Sequence, residues 1–412
     1  MHGIPPRRGV SCGASDSFDS GRQEGLVRRR ITFTTLGCLA TVFACRPSRP
    51  AAVTVSDSAG VRITLSADAP HTFAVVDTPA VLSLGGADAI GPTQFANIQG
   101  VYVAHNGSLW VADGQSDEVR IFHPDGSHWK TVGGKGGGPG EFRRVRLLGG
   151  FHGDSVAVWD DAQGRLTVLD PHGDVARMLT AQGEDRYPPN AFRVFSDGTV
   201  LARVRPVLNA VRLEPGTIIP DTAIFARVDY ATASRVPEGG APAPKWLWTG
   251  RTQVPVPFTV NPGFDVWGDD VQTTSGTAFR IRVFRGGRLV ESYGLDRDPA
   301  PVTDEERQAY SDMFAENASA RSDEYLAALR DPRVPENLPA YRSLVVADDG
   351  SVWAERYRRG TFDVYGPDRV YLGQVQVPLQ LTQVVGSRVV GVWRDDMDVE
   401  HVRIYRFRTM YP

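Results

Sequence analysis

Carboxylates recur where short apolar runs end: Asp113 after Leu109-Trp-Val-Ala, Asp160 with Asp161 after Val156-Ala-Val-Trp, Glu355 after Val352-Trp-Ala, and Asp395 with Asp396 after Val392-Trp-Arg. If those ends approach a shared face, oxygens of Asp113 and Asp160 could hold Ca²⁺, a hard cation that takes oxygen ligands, and support metal-assisted hydrolysis. The plainer reading is that an aspartate before a turn bonds its own backbone, and its return in every clear copy favours that structural use. Arginines follow the same ends. Arg143, Arg144, Arg356, Arg358, Arg359 and Arg394 stand there, while lysine occurs only at positions 130, 135 and 245. Guanidinium forks beside carboxylates suit peptides, sugars or acidic groups, so Arg143, Arg144, Glu355, Arg356, Arg394 and Asp395 are the ligand-face candidates.

Other motifs carry less chemistry. Gly133-Gly-Lys-Gly-Gly-Gly-Pro-Gly140 has glycines for a phosphate cradle, but Lys135 is followed by Gly136 rather than Ser or Thr, so a connecting loop is the better reading. His105, His123, His128, His152, His172 and His401 show no ligand spacing, and no Gly-x-Ser-x-Gly elbow occurs. Catalysis is therefore expected to be less favoured than binding, with a hydrolase or lactonase as the enzymatic alternative. No cofactor is implied beyond the possible Ca²⁺. A net charge of −3, from 45 basic and 48 acidic side chains, leaves no footprint for nucleic acid.

The elements that must position these groups come from a repeat. At an offset of 47, Gly91, Pro92, Phe95, Ser108, Asp113, Pro124 and Gly126 fall on Gly138, Pro139, Phe142, Ser155, Asp160, Pro171 and Gly173. At an offset of 243, Ser108, Trp110, Pro124 and Asp125 fall on Ser351, Trp353, Pro367 and Asp368. Weaker copies surround Asp197-Gly198, Val283 to Gly287, and Gly386-Ser387, which makes six units. Each unit reads as short β-forming runs cut by proline, aspartate and glycine turns. Four antiparallel strands per unit and a period near 47 are the arithmetic of a propeller blade. Trp110, Trp159, Trp353 and Trp393 are expected on the inner strands, wedging blades together. Residues 80–84 lack blade-mates and are expected to complete the last blade against 389–393 and 401–407. Thr303-Asp-Glu-Glu306 resembles a capping box, which predicts a helical insertion over about 303–331. Residues 205–222 and 232–262 are proline-rich and expected to be long loops.

The first residues read as an address. Arg28, Arg29 and Arg30 precede an uncharged apolar run from Ile31 to Ala44, too short to span comfortably, which ends at Cys45. This resembles a bacterial lipobox and implies that Cys45 is a lipidated mature N-terminus. Cys12, Cys38 and Cys45 are the only three cysteines, so a chain beginning at Cys45 has no disulfide framework.

Asp57-Ser-Ala-Gly-Val-Arg-Ile63, Val111-Ala-Asp113, Gly136-Gly-Gly-Pro-Gly-Glu-Phe142, Asp348-Asp-Gly-Ser-Val-Trp353 and Gly391-Val-Trp-Arg-Asp395 resemble bacterial six-bladed β-propeller lipoproteins related to NHL-repeat proteins. The resemblance implies fold and location, with no catalytic residues to carry over. The expected organisation is a signal peptide over 1–44, a lipid tether and hairpin over 45–66, and over 67–412 an all-β, six-bladed β-propeller of four-stranded blades. The expected role is an exported, monomeric binding or scaffold module in the periplasm or at the outer membrane, bound to the membrane through Cys45. Its partner would be an envelope protein, peptide or carbohydrate.

Overall fold

Short β-branched runs separated by turn residues fold as antiparallel sheets. In the first, Ile98–Val103, Leu109–Asp113, Glu118–Phe122 and His128–Gly133 pair in chain order. The turn after its third strand shows why the motif repeats. Asp125 Oδ1 accepts from the Ser127 N–H at 2.8 Å, while Gly126 takes a φ of 87° that side chains resist. Asp170 with Gly173 and Asp197 with Gly198 repeat the device.

The structure is a computed structural model that describes residues 52–410 apart from 70, 181–189, 205–212, 220–221, 260–261, 275, 317–323, 325–327, 329 and 332. The expected signal run and Cys45 lie outside the described residues. Sheet two is Val145–Phe151, Ser155–Asp160, Arg165–Leu169 and Val175–Thr180. Sheet three is Asn190–Val194, Val200–Val204, Thr222–Asp229 and Ser234–Pro242. Sheet four is Phe264–Trp267, Asp270–Thr274, Arg280–Arg285 and Arg288–Asp296. Sheet five is Tyr341–Val346, Val352–Arg356, Thr361–Tyr365 and Tyr371–Gln376. Sheet six is Gln380–Val385, Arg388–Arg394 and Glu400–Thr409. Its outer edge takes Ala74–Val76 and Leu82–Gly85, with Val402 opposite Leu84 and Ile404 opposite Leu82.

The architecture is thus mostly β, with blade-like sheets of four to six strands and a helical insertion. The first strands of successive sheets neighbour one another, and the strand of sheet six returns to that of sheet one. A separate apolar cluster fills each gap. Trp110 and Ile121 meet Phe142 and Val158 between sheets one and two, and Val101 and Phe122 meet Val392 and Ile404 between sheets one and six. Sheets covered on both faces need no polar alternation, which is why Leu109–Asp113 is buried throughout. Side chains also cross the gaps. Gln383 accepts from the Val103 N–H at 2.8 Å and donates to the Val103 carbonyl at 3.1 Å. Replacing it, as Gln383→Leu, removes both bonds and strands polar groups of Val103. A loss of about 1–3 kcal/mol in urea unfolding is expected, and an unchanged midpoint would show that this gap needs no polar bridge.

Several expectations change here. The tryptophans lie on the second strand of their sheets, one removed from the innermost. Trp110, Trp159 and Trp353 are fully buried all the same, and Trp110 donates to Ser108 Oγ. The proline-rich stretches are not loops throughout, since Ser234–Pro242 completes sheet three. Ile218–Ile219, Trp246–Trp248 and Gln253–Pro255 form a small extra sheet. Helix Asp304–Glu316 begins with the expected reciprocal cap: Glu306 accepts from the Thr303 N–H at 2.9 Å and donates its own N–H to Thr303 Oγ1 at 3.2 Å. A hairpin of Val53–Ser58 and Val61–Ala67 adds to sheet four, parallel to Arg288–Asp296. No described helix is long and apolar enough to cross a membrane.

Candidate functional site at the axial cavity

The first strand of each of the six sheets contributes to the lining of a cavity of about 930 Å³. An edge strand leaves half of its backbone groups without a strand partner, so the wall offers amides and carbonyls as well as side chains. Irregularities in pairing re-aim residues here. Phe192, Arg342 and Thr382 are each skipped in the register of their sheets, the geometry of a β-bulge.

Side chains tie the wall together. Asp265 accepts from Arg193 Nε at 2.7 Å and from the Val346 N–H at 3.0 Å, which joins sheet four to sheets three and five. Arg146 pairs with Asp161 at 2.9 Å and lies over Phe192, and burial with the neighbouring Arg193 draws its pKa below the ordinary arginine value. On sheet five, Ser343 lines the cavity and donates to Glu355 Oε2 at 2.8 Å. Glu355 is 8% exposed, and its other oxygen accepts from the Gly360 N–H at 3.4 Å. Arg342 Nε stands 3.8 Å from the oxygen that Ser343 uses.

Beside sheet five the two insertions share a core of their own. Leu247 and Val254 of the small sheet cluster with Phe258, Ala328, Val334 and Leu338, and Tyr310 and Tyr357 pack against them. The helix is fixed to sheet five by Glu306, which pairs with Arg358 at 3.0 Å. Burial opposes the charge of Glu306, yet the Thr303 N–H and Arg358 hold it below the usual carboxylate range.

The carboxylates proposed as metal ligands close turns instead. Asp113 is buried at the end of the second strand of sheet one, where its Oδ1 accepts from the Asn97 and Gln115 N–H groups at 3.2 Å and its Oδ2 faces Arg120 at 3.1 Å. Asp160 does the same in sheet two, accepting from the N–H groups of Arg143, Ala162 and Gln163. The two stand in different sheets with their oxygens engaged, and no group of three His, Cys, Asp or Glu arranged for a metal occurs among the described residues. The glycine-rich loop is likewise closed on itself, with the Gly138 N–H on Glu141 and the Gly136 N–H on the Phe142 carbonyl.

The ligand-face candidates divide. Arg143 and Arg144 are exposed near the end of the glycine-rich loop. Arg356 turns inward to a bidentate pair with Asp363 at 2.9 and 3.0 Å. Arg394 binds Asp398 and Glu400. Asp395 caps its own loop, and the Val399 and Met397 N–H groups, with His401, hold it below the usual carboxylate range. Glu355 is bonded to Ser343 of the cavity wall. Its partner Ser343 went unnoticed because nothing in Tyr341-Arg-Ser343 signals a bulge.

No family model matches the chain, and no curated protein is a significant relative. Among solved structures, a putative exported protein from Bacteroides fragilis matches at 13% identity over 84% of this chain and 98% of its own, with a TM-score of 0.46. A virginiamycin B lyase from Staphylococcus aureus matches at 9% identity over 78% and 98%, with a TM-score of 0.40. A gluconolactonase from Xanthomonas campestris matches at 12% identity over 81% and 100%, with a TM-score of 0.42. Two of these three are enzymes by their own descriptions, and the expectation that catalysis is the less favoured reading is withdrawn. A missing sequence signature is no ground for setting catalysis aside where the groups that meet, Ser343 and Glu355, come from two different strands.

Proposed function

We propose that the six sheets close into a six-bladed β-propeller whose axial cavity is the active site of a hydrolase for esters or lactones. The ring is supported by the return of sheet six to sheet one through Gln383 and a shared apolar cluster. One observation carries the catalytic reading: a seryl hydroxyl on the cavity wall donates to a buried carboxylate at 2.8 Å. In this reading Glu355 is the general base. Ser343 Oγ attacks the carbonyl carbon as its proton passes to Glu355, and that proton then leaves with the departing alkoxide. Edge amides of the inner strands are the donors for the developing oxyanion. Water then repeats the step and releases the acid. Asp113 and Asp160 take no part, their oxygens being engaged.

Export belongs to the same proposal. The Arg28 to Arg30 cluster, the apolar run and Cys45 support a lipid-anchored envelope protein, and the motif residues quoted above support kinship with NHL-related lipoproteins.

The expected result is turnover in a panel of aliphatic esters and lactones, falling at least about 100-fold in both Ser343→Ala and Glu355→Gln. Thermal melts within a few degrees of the parent would show that both variants stay folded. Turnover that persists in folded Ser343→Ala, or a parent that turns over none of the panel, would overturn the reading.

A further inference from the structure

Residues 356–359 form the end of the second strand of sheet five and the loop after it, and three of them are arginines. Arg356 is bound to Asp363 and Arg358 to Glu306, so two of the three guanidinium groups are neutralised. Arg359 is exposed and makes no ion pair among the described residues. The N–H of the next residue, Gly360, folds the loop back onto Glu355. Arg342 lies at the same end of the sheet, because Tyr341 is opposite Arg356 in the register. Among the described residues its carboxylate neighbour is Glu355, at 3.8 Å, and that oxygen already accepts the closer Ser343 hydroxyl. Burial and the repulsion of Arg359 together pull Arg342 below the ordinary arginine value. Two positive groups thus stand near Glu355, whose partner Ser343 lines the cavity.

We infer that Arg342 and Arg359 form an oxyanion clamp, so that the molecule taken into the cavity carries a carboxylate or phosphate group beside its scissile bond. This rests on the hydrolase reading for the bond broken, though not for the charge recognised. An anion there would relieve the repulsion between the two arginines and accept from guanidinium forks whose planar donors match two oxygens. Electrostatic attraction would also draw such a molecule toward the rim.

The test compares 4-nitrophenyl hemisuccinate with 4-nitrophenyl butyrate, esters of similar length that differ by one carboxylate. Preference for the hemisuccinate, as a ratio of kcat/KM values, is expected to fall roughly 10- to 100-fold in Arg342→Gln and Arg359→Gln. A second arm needs no turnover: succinate and inorganic phosphate are titrated by calorimetry into the parent and both variants. Binding that weakens at least tenfold in the variants supports the clamp even if no ester is cleaved, and the stronger of the two anions identifies the group preferred. Ester cleavage with no charge preference, or absence of anion binding in the parent, overturns the clamp while leaving the hydrolase reading to its own test.

Discussion

Asp363→Ala is expected to destabilise the protein by about 3–5 kcal/mol, because it leaves a guanidinium without its partner in the interior. Asp363 has no exposed side-chain surface and stands on the third strand of sheet five, which faces sheet four. Arg356 grips both of its oxygens, and Tyr341 and Tyr371 donate to them at 3.0 and 3.3 Å. Tyr341 and Tyr365 share a further hydrogen bond at 2.7 Å, and both hydroxyls are pushed well above the usual tyrosine range by burial, with the Asp363 charge adding to it. The carboxylate is thus the acceptor on which a whole set of donors depends. Alanine would empty that position and leave Arg356 and two hydroxyls seeking water. Urea unfolding followed by tryptophan fluorescence measures the loss. The double change Asp363→Leu with Arg356→Met should cost much less than the single one, since it removes charge and countercharge together. A single variant within 1 kcal/mol of the parent would show that the network does not hold sheets four and five together.

The same residues show how far the amino-acid sequence could be read. Turn chemistry is local, so Asp125-Gly126 and its copies mark the sheets correctly, and the Thr303 to Glu306 cap marks the helix. Strand order within a sheet is harder to read. The runs around Trp110 and Trp159 are the most apolar and look innermost, yet the innermost strands are those that border the cavity, such as Ile98-Gln-Gly-Val and Val145-Arg-Leu-Leu-Gly-Gly. Facing open space on one edge, they need less apolar surface and tolerate glycine. Gly150 shows the use of this, since a Cβ there would run into the Tyr102 hydroxyl.

Pairing between sheets is hardest of all. Arg193 and Asp265 are separated by 72 residues, and nothing local says that they meet. Arg356 and Asp363 are only seven apart, but the hairpin between them turns the arginine inward, away from the ligand face where its neighbours suggest it should lie. The two insertions are separated by all of sheet four, so their common apolar core could not be foreseen from either alone. The candidate site accordingly contains one residue visible beforehand, Glu355, and one set in register opposite it by the bulge at Arg342, Ser343.

A chain cut to begin at Gly86 is expected to lose most of its stability and to associate through its exposed edge. Two short strands would be missing from the outer side of Glu400–Thr409, where Val76 lies opposite Phe407 and Leu84 opposite Val402. The segment between them also adheres, with the Asp77 N–H on the Arg406 carbonyl and the Val81 N–H on the Ile404 carbonyl, both at 2.8 Å. Leu82 and Leu84 pack on the cluster shared by sheets six and one, while Phe73, Ala74 and Val76 belong to the cluster shared by sheets five and six. Each large apolar side chain contributes roughly 1.5–3 kcal/mol by its burial, less where burial is partial, so Phe73, Val76, Leu82 and Leu84 together reach about 5–10 kcal/mol. That is comparable with the 5–15 kcal/mol, roughly, that holds a typical domain folded. The uncovered strand would also present a row of unpaired amides to any other chain. Sedimentation of the shortened protein should show aggregates, whereas removal of the Val53–Ala67 hairpin alone should leave a folded monomer of lower melting temperature. Point changes isolate the cause: Leu84→Asp in the full chain should reproduce part of the loss, because it places a charge against Val402 and Phe95. A shortened chain that stays monomeric and melts with the parent would mean that the C-terminal strand needs no cover, and the pairing of the two chain ends would then be incidental to stability.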